Sequence, residues 1–141
     1  ISGWMLVDIK AKRPHLVDSF EMNIEFFPNR LAITQEPAKI QELTRAESEN
    51  YYKVVYSDLD IVNHVNNVQY IRIILDSQPY ETRSKKHVKS FEINYLAEAL
   101  INDELIILTQ NLESENLNLH EVVRAGDKKI ICRAIIGWEN D

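Results

Sequence analysis

Residues 57–76 read SDLDIVNHVNNVQYIRIILD, and this stretch governs the fold prediction because a polar loop runs directly into an apolar helix. Apolar side chains recur at the spacing of one helix face, at Val68, Ile71, Ile74 and Leu75. This period predicts a buried helix over residues 65–76. Asn66 or Asn67 can cap it, since the first N–H groups of a helix have no partner within the helix.

Two ionisable side chains, Asp60 and His64, lie just before the predicted helix. Both can orient a substrate or a water molecule. Aligned backbone dipoles place partial positive charge at a helix N-terminus. The N–H groups of Val65, Asn66 and Asn67 can therefore stabilise an oxygen that becomes anionic during attack on a carbonyl group. The stretch predicts a functional site.

The rest of the C-terminal half is predicted to be strands. Four are expected, over residues 87–96, 104–113, 116–124 and 129–138, with turns at 114–115 and 125–128. A further short strand is expected at residues 53–56. One helix among antiparallel strands is typical of the α+β class, with the sheet wrapped around the helix.

The N-terminal segment predicts a different organisation. Residues 1–10 alternate loosely and form a predicted strand that Pro14 ends, and no partner strand precedes it. A short helix is expected over 16–27, followed by a polar connector. We expect residues 1–50 to be the tail of a missing N-terminal domain with its connector, and 51–141 to be one domain.

Composition excludes several classes of function. The chain has 141 residues, 45% of them hydrophobic and 27% charged, with a net charge of −6. This is ordinary for a globular protein and argues against a general nucleic-acid binder, which needs a basic surface. No apolar run is long enough to span a bilayer, and the first residues lack the pattern of a secretory signal. A cytoplasmic location is predicted.

Metal and cysteine chemistry are not expected. The single Cys132 cannot form an internal disulfide and lies in an alternating strand, where a small buried residue is typical. The four histidines are far apart and show no metal-ligand spacing. The three glycines form no phosphate-binding loop. No cofactor and no metal are predicted.

The segment Ser57–Tyr70 resembles a signature of the acyl-acyl carrier protein thioesterases, Ser-Asp-x-Asp-x-Asn-x-His-Val-Asn-Asn-x-x-Tyr. Residues 94–99, NYLAEA, are similar to a second signature, in which Tyr is followed three residues later by a catalytic Glu. Residues 2–14 resemble the segment that closes the family's first domain. The three matches occur in the family's order and span nearly the whole chain.

The resemblance implies a hotdog fold, in which an antiparallel sheet wraps around one long helix, and hydrolysis of an acyl thioester. It implies catalytic roles for Asp60, His64 and Glu98, with Glu98 on a strand as a general base if partial burial raises its pKa. Without the resemblance, the residues alone predict that Asp60 is a turn residue, His64 a hydrogen-bonded polar group near a helix start and Glu98 an exposed strand residue. Ala99 stands where many relatives carry Cys, which leaves direct attack by water.

One position departs from the signature. Val62 stands where the family has Asn, and Asn63 follows it. Asn63 can take the catalytic role through a shifted turn, or it can adopt a left-handed conformation before His64, which Asn tolerates well. The turn interpretation is favoured here.

An acidic acyl carrier protein carrying a fatty acyl thioester is the expected partner. It would dock on a local basic patch, and the candidates are Arg83, Lys85, Lys86 and Lys89; a solvated loop is the alternative. A homo-oligomer or pairing with a second hotdog domain is also expected. Two other functions stay open: an acyl-CoA thioesterase of the same fold, and a non-catalytic acyl-binding or interaction domain.

Overall fold

The computed structural model describes residues 6–8, 13–15, 38–112 and 116–140, and the chain forms two units, residues 1–38 and 39–141. In the first unit, strand β1 (Leu6–Asp8) pairs antiparallel with strand β2 (Arg13–His15). The strand predicted over 1–10 is thus confirmed at its centre. Pro14, expected to end that strand, lies inside its partner opposite Val7. The helix predicted over 16–27 lies outside the described residues.

The second unit contains one antiparallel sheet of five strands. They are β3 (Ser48–Lys53), β4 (Lys86–Tyr95), β5 (Glu104–Asn111), β6 (Leu117–Arg124) and β7 (Ile130–Asn140). Their order is β3-β5-β6-β7-β4. The four strands predicted after the helix are confirmed.

The short strand predicted over 53–56 is wrong, because β3 ends where that strand was expected to begin. The carboxylate of Asp58 accepts a hydrogen bond from Val55 N at 2.9 Å. That bond turns the chain into a single 3₁₀ turn, Tyr56–Asp58. The predicted domain boundary near residue 50 falls within β3.

The segment before β3 packs on the sheet. Ile40 is 3% exposed and its N–H donates to the side chain of Asn94 in β4 at 2.8 Å. Leu43 N–H donates to Glu121 in β6, whose carboxylate is 2.7 Å from Arg133 Nε in β7. Asn94, Glu121 and Arg133 are register partners. Residues 40–43 therefore belong to the fold of the second unit.

Helix α1 spans Asn67–Asp76, and a short helix α2 spans Tyr80–Arg83. The helix predicted over 65–76 is confirmed, with its start at Asn67 because the side chain of Asn66 caps it, accepting from Val68 N at 3.0 Å. Its buried residues are Tyr70, Ile73 and Ile74, whereas Val68 is 66% exposed. The buried face is rotated from the predicted one because the hydroxyl of Tyr70 finds a buried partner, the N–H of Ala99.

The core lies between α1 and the sheet. Buried residues of the sheet form one cluster with the buried residues of the helix: Leu105, Ile107, Val122, Ile131, Cys132, Ala134, Ile136 and Trp138. Val65 and Ala99 belong to the same cluster and are 4% and 0% exposed. Because these two residues directly follow His64 and Glu98, the core brings the two predicted site loops together.

Candidate active site

The loop before α1 is organised by the carboxylate of Asp60. Its Oδ1 accepts hydrogen bonds from Val62 N at 2.9 Å and from His64 N at 3.1 Å. Its backbone N–H donates to His64 O at 2.8 Å. Asp typically forms turns in this way, and here the bonds fix the position of the His64 backbone. One carboxylate oxygen of Asp60 is thus used to stabilise the loop.

Asn63 has the conformation that the turn interpretation predicts. Its φ of 64° lies in the left-handed region, and its N–H donates to Asp60 O at 3.1 Å. Its side chain is exposed and is not among the described residues that line the adjacent cleft. Val62, which occupies the signature's Asn position, is 59% exposed.

A buried carboxylate beneath this loop escaped the sequence analysis. Asp58 is 1% exposed, and its oxygens lie 2.7 Å from Arg72 Nη2 and 2.8 Å from Tyr52 Oη. Its backbone carbonyl accepts from Asn66 N at 2.9 Å. Asp58 therefore anchors the loop to α1 and β3. The sequence shows the aspartate but not its partners, which come from distant positions.

Glu98 lies in the loop between β4 and β5, so the prediction that it lies on a strand is wrong. The loop brings its Oε2 to 3.5 Å from His64 Nε2, and the two side chains are 70% and 37% exposed. The expected partial burial of Glu98 is absent, because its neighbours Leu96 and Leu100 are themselves 50% and 45% exposed. The structure nonetheless brings the predicted acid and imidazole together.

His64 and Glu98 lie on the wall of an open cleft of about 340 Å³ at the N-terminal end of α1. The other polar side chains of its lining are Asp60, Asn67, Tyr70 and Tyr95. Tyr95 Oη donates to Asn67 O at 3.0 Å, which joins the end of β4 to the first residue of the helix. The cleft thus combines a carboxylate, an imidazole and a helix N-terminus.

Two of the three predicted oxyanion donors are already engaged, which corrects that prediction. Val65 N donates to Ala99 O at 3.0 Å, and Asn66 N donates to Asp58 O at 2.9 Å. Both bonds tie the start of the helix to neighbouring loops, so neither N–H points to a substrate. Asn67 remains the candidate, and it lines the cleft.

Cys132 is buried, as predicted. Burial raises the pKa of its thiol to about 12, so it stays protonated at neutral pH and is a poor nucleophile. Burial likewise raises the pKa of Tyr70 to about 12, so its hydroxyl keeps its proton.

The predicted docking patch covers α2 and the start of β4. Three of its cations have polar partners at 3.0–3.4 Å: Arg83 contacts Asp76, Lys86 contacts Asn116 and Lys89 contacts Glu139. Lys85 is exposed. Lys86 and Tyr95 of the cleft are the first and last of the ten residues of β4, roughly 30 Å apart at about 3.3 Å per residue. The patch is therefore far from the carboxylate.

The described residues contain no cluster of three or more His, Cys, Asp or Glu side chains that could hold a metal ion. In the same part of the chain, no helix has the length and apolar character required to cross a membrane.

The protein-family model of the acyl-ACP thioesterase C-terminal domain matches residues 41–140. The match covers most of the chain, and the chain belongs to this family. A crystal structure of an acyl-ACP thioesterase from Bacteroides thetaiotaomicron is 28% identical and superposes with a TM-score of 0.73, covering 94% of this chain and 53% of that one. The hotdog fold is confirmed by this likeness together with the sheet and helix described above.

Two curated relatives are plant proteins. The dodecanoyl-[acyl-carrier-protein] hydrolase of Cinnamomum camphora is 32% identical over 75 residues, 53% of this chain and 20% of that protein. The palmitoyl-acyl carrier protein thioesterase of Cuphea hookeriana is 29% identical over 103 residues, 69% of this chain and 25% of that protein. Both are named as chloroplastic. The matched regions span a quarter or less of these relatives' length.

Proposed function

We propose that this chain carries the catalytic cleft of a thioesterase that hydrolyses fatty acyl-acyl carrier protein to a free fatty acid and the carrier thiol. The observation that carries the proposal is the approach of Glu98 Oε2 to within 3.5 Å of His64 Nε2 at the N-terminus of α1. Membership of the acyl-ACP thioesterase family supplies the substrate class.

Glu98 acts as general base in this proposal. A water molecule in the cleft attacks the thioester carbonyl carbon and gives its proton to the Glu98 carboxylate. The C–S bond then breaks, and the carrier thiolate leaves and takes up a proton. The exposure of Glu98 leaves room for that water, and no covalent intermediate on the buried Cys132 is needed.

His64 and Asn67 support the reaction from the helix side. His64 faces Glu98 and orients the water or the substrate between the two loops. The carbonyl oxygen becomes anionic during attack, and the positive end of α1 beside Asn67 stabilises that charge. Asp60 holds His64 in place through the loop hydrogen bonds.

The carrier protein docks, in this proposal, on Arg83, Lys85, Lys86 and Lys89. Lys85 and Lys89 are exposed, which suits a transient electrostatic contact with an acidic partner. The span of roughly 30 Å along β4 means that the arm bearing the thioester must bridge the patch and the cleft.

Pairing with a second hotdog domain, or with a second copy, is part of the same proposal. The loop before α1, the first turn of α1 and the loop of Glu98 expose apolar side chains that a partner would cover: Ile61, Val62, Val68 and Leu96, at 99%, 59%, 66% and 50%. Such exposed apolar surface favours association. A cytoplasmic location stays a prediction.

A non-catalytic acyl-binding domain is the second candidate. It is favoured by the exposed Val62 at the signature's Asn position and by the absence of Asn63 from the described cleft lining. An acyl-CoA thioesterase is the alternative within enzymes.

Hydrolysis of one acyl chain, presented on carrier protein and on CoA to the intact protein, separates these three functions. Faster release of thiol from the carrier supports the proposal. Preference for the CoA thioester supports the acyl-CoA alternative, and acyl binding without turnover on either supports the binding domain.

A further inference from the structure

The position of Glu98 depends on its backbone. Its carboxylate is 70% exposed and meets His64 at 3.5 Å, so little packing fixes the side chain. The backbone of the loop is held on both sides by hydrogen bonds from other elements. Leu96 N and Ala97 N both donate to Ile131 O of β7, at 2.8 and 3.0 Å. The residues that follow are held by two side chains.

Arg124, at the end of β6, is the first of these side chains. Its Nη2 donates to the backbone carbonyl of Glu98 at 2.6 Å. Its Nε lies 3.3 Å from Asp103 Oδ2, an ion pair that lacks the geometry of a hydrogen bond, and only 23% of the arginine side chain is exposed. The hydrogen bond to the Glu98 carbonyl is the directional contact, and the ion pair with Asp103 keeps the guanidinium group beside it.

Asp103 also fixes the backbone on the C-terminal side of Glu98. The same Oδ2 that faces Arg124 accepts a hydrogen bond from Leu100 N at 2.9 Å. Arg124 and Asp103 together therefore hold the backbone at residues 98 and 100, on both sides of Ala99.

Tyr70 of α1 is the second side chain. It is 2% exposed, and its hydroxyl oxygen accepts from Ala99 N at 3.1 Å. The carbonyl of Ala99 in turn accepts from Val65 N at 3.0 Å, one residue after His64. The loop of Glu98 is thereby fixed to the same helix start that carries His64.

We propose that Arg124 and Tyr70 are positioning residues, which place the Glu98 carboxylate opposite His64 by holding the backbone at residues 98 and 99. The inference rests on the proposed function of Glu98 as general base. Neither side chain touches the reacting atoms in this proposal. The purely structural alternative is that both residues stabilise the fold and have no particular coupling to Glu98.

A double-mutant cycle in the intact protein distinguishes positioning from general stabilisation. Arg124→Gln, Glu98→Gln and the double variant are compared on one small soluble acyl thioester. A misplacement of about 1 Å costs on the order of 100-fold, so Arg124→Gln should lower kcat by about 10- to 100-fold with little change in KM. Without the carboxylate there is nothing to position, so the double variant should be no slower than Glu98→Gln.

Lys129→Gln is the matched control. Lys129 is an exposed cation on the same β6–β7 turn, and its hydrogen bonds are made by its backbone: its N–H donates to Asp127 at 3.1 Å and its carbonyl accepts from Arg124 N at 2.9 Å. Like Arg124→Gln, the Lys129→Gln substitution removes one positive charge, but it removes no contact with the loop of Glu98. The kcat should therefore stay at the wild-type value. An equal loss in Lys129→Gln would assign the effect to charge and overturn the positioning role.

Tyr70→Phe provides a second route to the same result, because the ring stays in the core while the acceptor for Ala99 N–H is lost. It should show the same non-additivity with Glu98→Gln in variants that melt cooperatively. Full additivity of either positioning variant with Glu98→Gln overturns this inference while leaving Glu98 as the base. Wild-type activity of Glu98→Gln alone would instead overturn the proposed function.

Discussion

His64 Nε2 lies 3.5 Å from Glu98 Oε2, although α1, α2 and β4 separate the two residues along the chain. The contact forms because Val65 and Ala99, the residues that follow them, are both buried and joined by a backbone hydrogen bond. A carboxylate and an imidazole at this distance, in an open cleft, can share a water molecule. Their roles lead to the first prediction.

Glu98→Gln should lower kcat for acyl thioester hydrolysis by about 10²- to 10⁴-fold, the usual loss for a general base. The amide keeps the shape of the side chain but cannot accept the proton of the attacking water. Steady-state hydrolysis together with a thermal melt measures both effects. Glu92→Gln, an exposed glutamate of β4, is the control and should keep wild-type kinetics. Unchanged kcat in a folded Glu98→Gln would remove Glu98 from the mechanism.

Asp60→Asn and Asp60→Ala should differ in effect. An Asn side-chain oxygen can accept the same two hydrogen bonds, from Val62 N and His64 N, whereas Ala removes both. We expect Asp60→Asn to keep most of the activity, and Asp60→Ala to lose activity and about 1–3 kcal/mol of unfolding free energy. Denaturant unfolding and kcat are measured on both. Equal inactivation by the two changes would show that the charge itself, not the turn, is what the reaction uses.

Reversing the charge of Lys85 and Lys89 together should raise KM for acyl-carrier-protein substrate at low salt. Both side chains are exposed, and an acidic carrier would meet repulsion instead of attraction. The difference from wild type should shrink at high salt, because screening weakens the contact. Hydrolysis of a small neutral thioester is the control. A parallel loss on that substrate would mean that the two lysines support the fold and not carrier docking.

The stability of the domain should fall in acid because of His120. This residue is 0% exposed, its Nδ1 lies 3.1 Å from Thr109 Oγ1, and burial lowers its pKa to about 4. The ordinary pKa of histidine is about 6.5. The unfolded chain therefore binds the proton first, and stability present above pH 6.5 is lost as the pH falls towards 4, by about 3 kcal/mol.

Urea unfolding of wild type and His120→Gln between pH 7 and pH 4 measures how much His120 contributes to the loss of unfolding free energy in acid. Glutamine stays neutral throughout, so the variant should lose less unfolding free energy on acidification than the wild type. Identical pH profiles for the two proteins would mean that other groups control the acid sensitivity.

The sequence alone determined the elements that local pattern controls. The apolar period over residues 65–76 is long enough to predict α1, and the four later strands follow from alternation between turn residues. Asn63 was expected to be left-handed because asparagine tolerates that conformation, and its φ is 64°. The pairing of Asp60 and His64 with a downstream Glu98 was predicted from the resemblance of two separate motifs.

Only the tertiary structure decided which groups remain available for chemistry. The N–H groups of Val65 and Asn66 are occupied by Ala99 and Asp58, partners that are brought near by packing. The rotation of the buried face of α1 follows from the contact of Tyr70 with Ala99. The exposure of Glu98 and its hold by Arg124 depend on where β4 ends and β6 turns. Hydrogen bonds between residues distant in sequence leave no periodic signal, so pattern analysis cannot predict them.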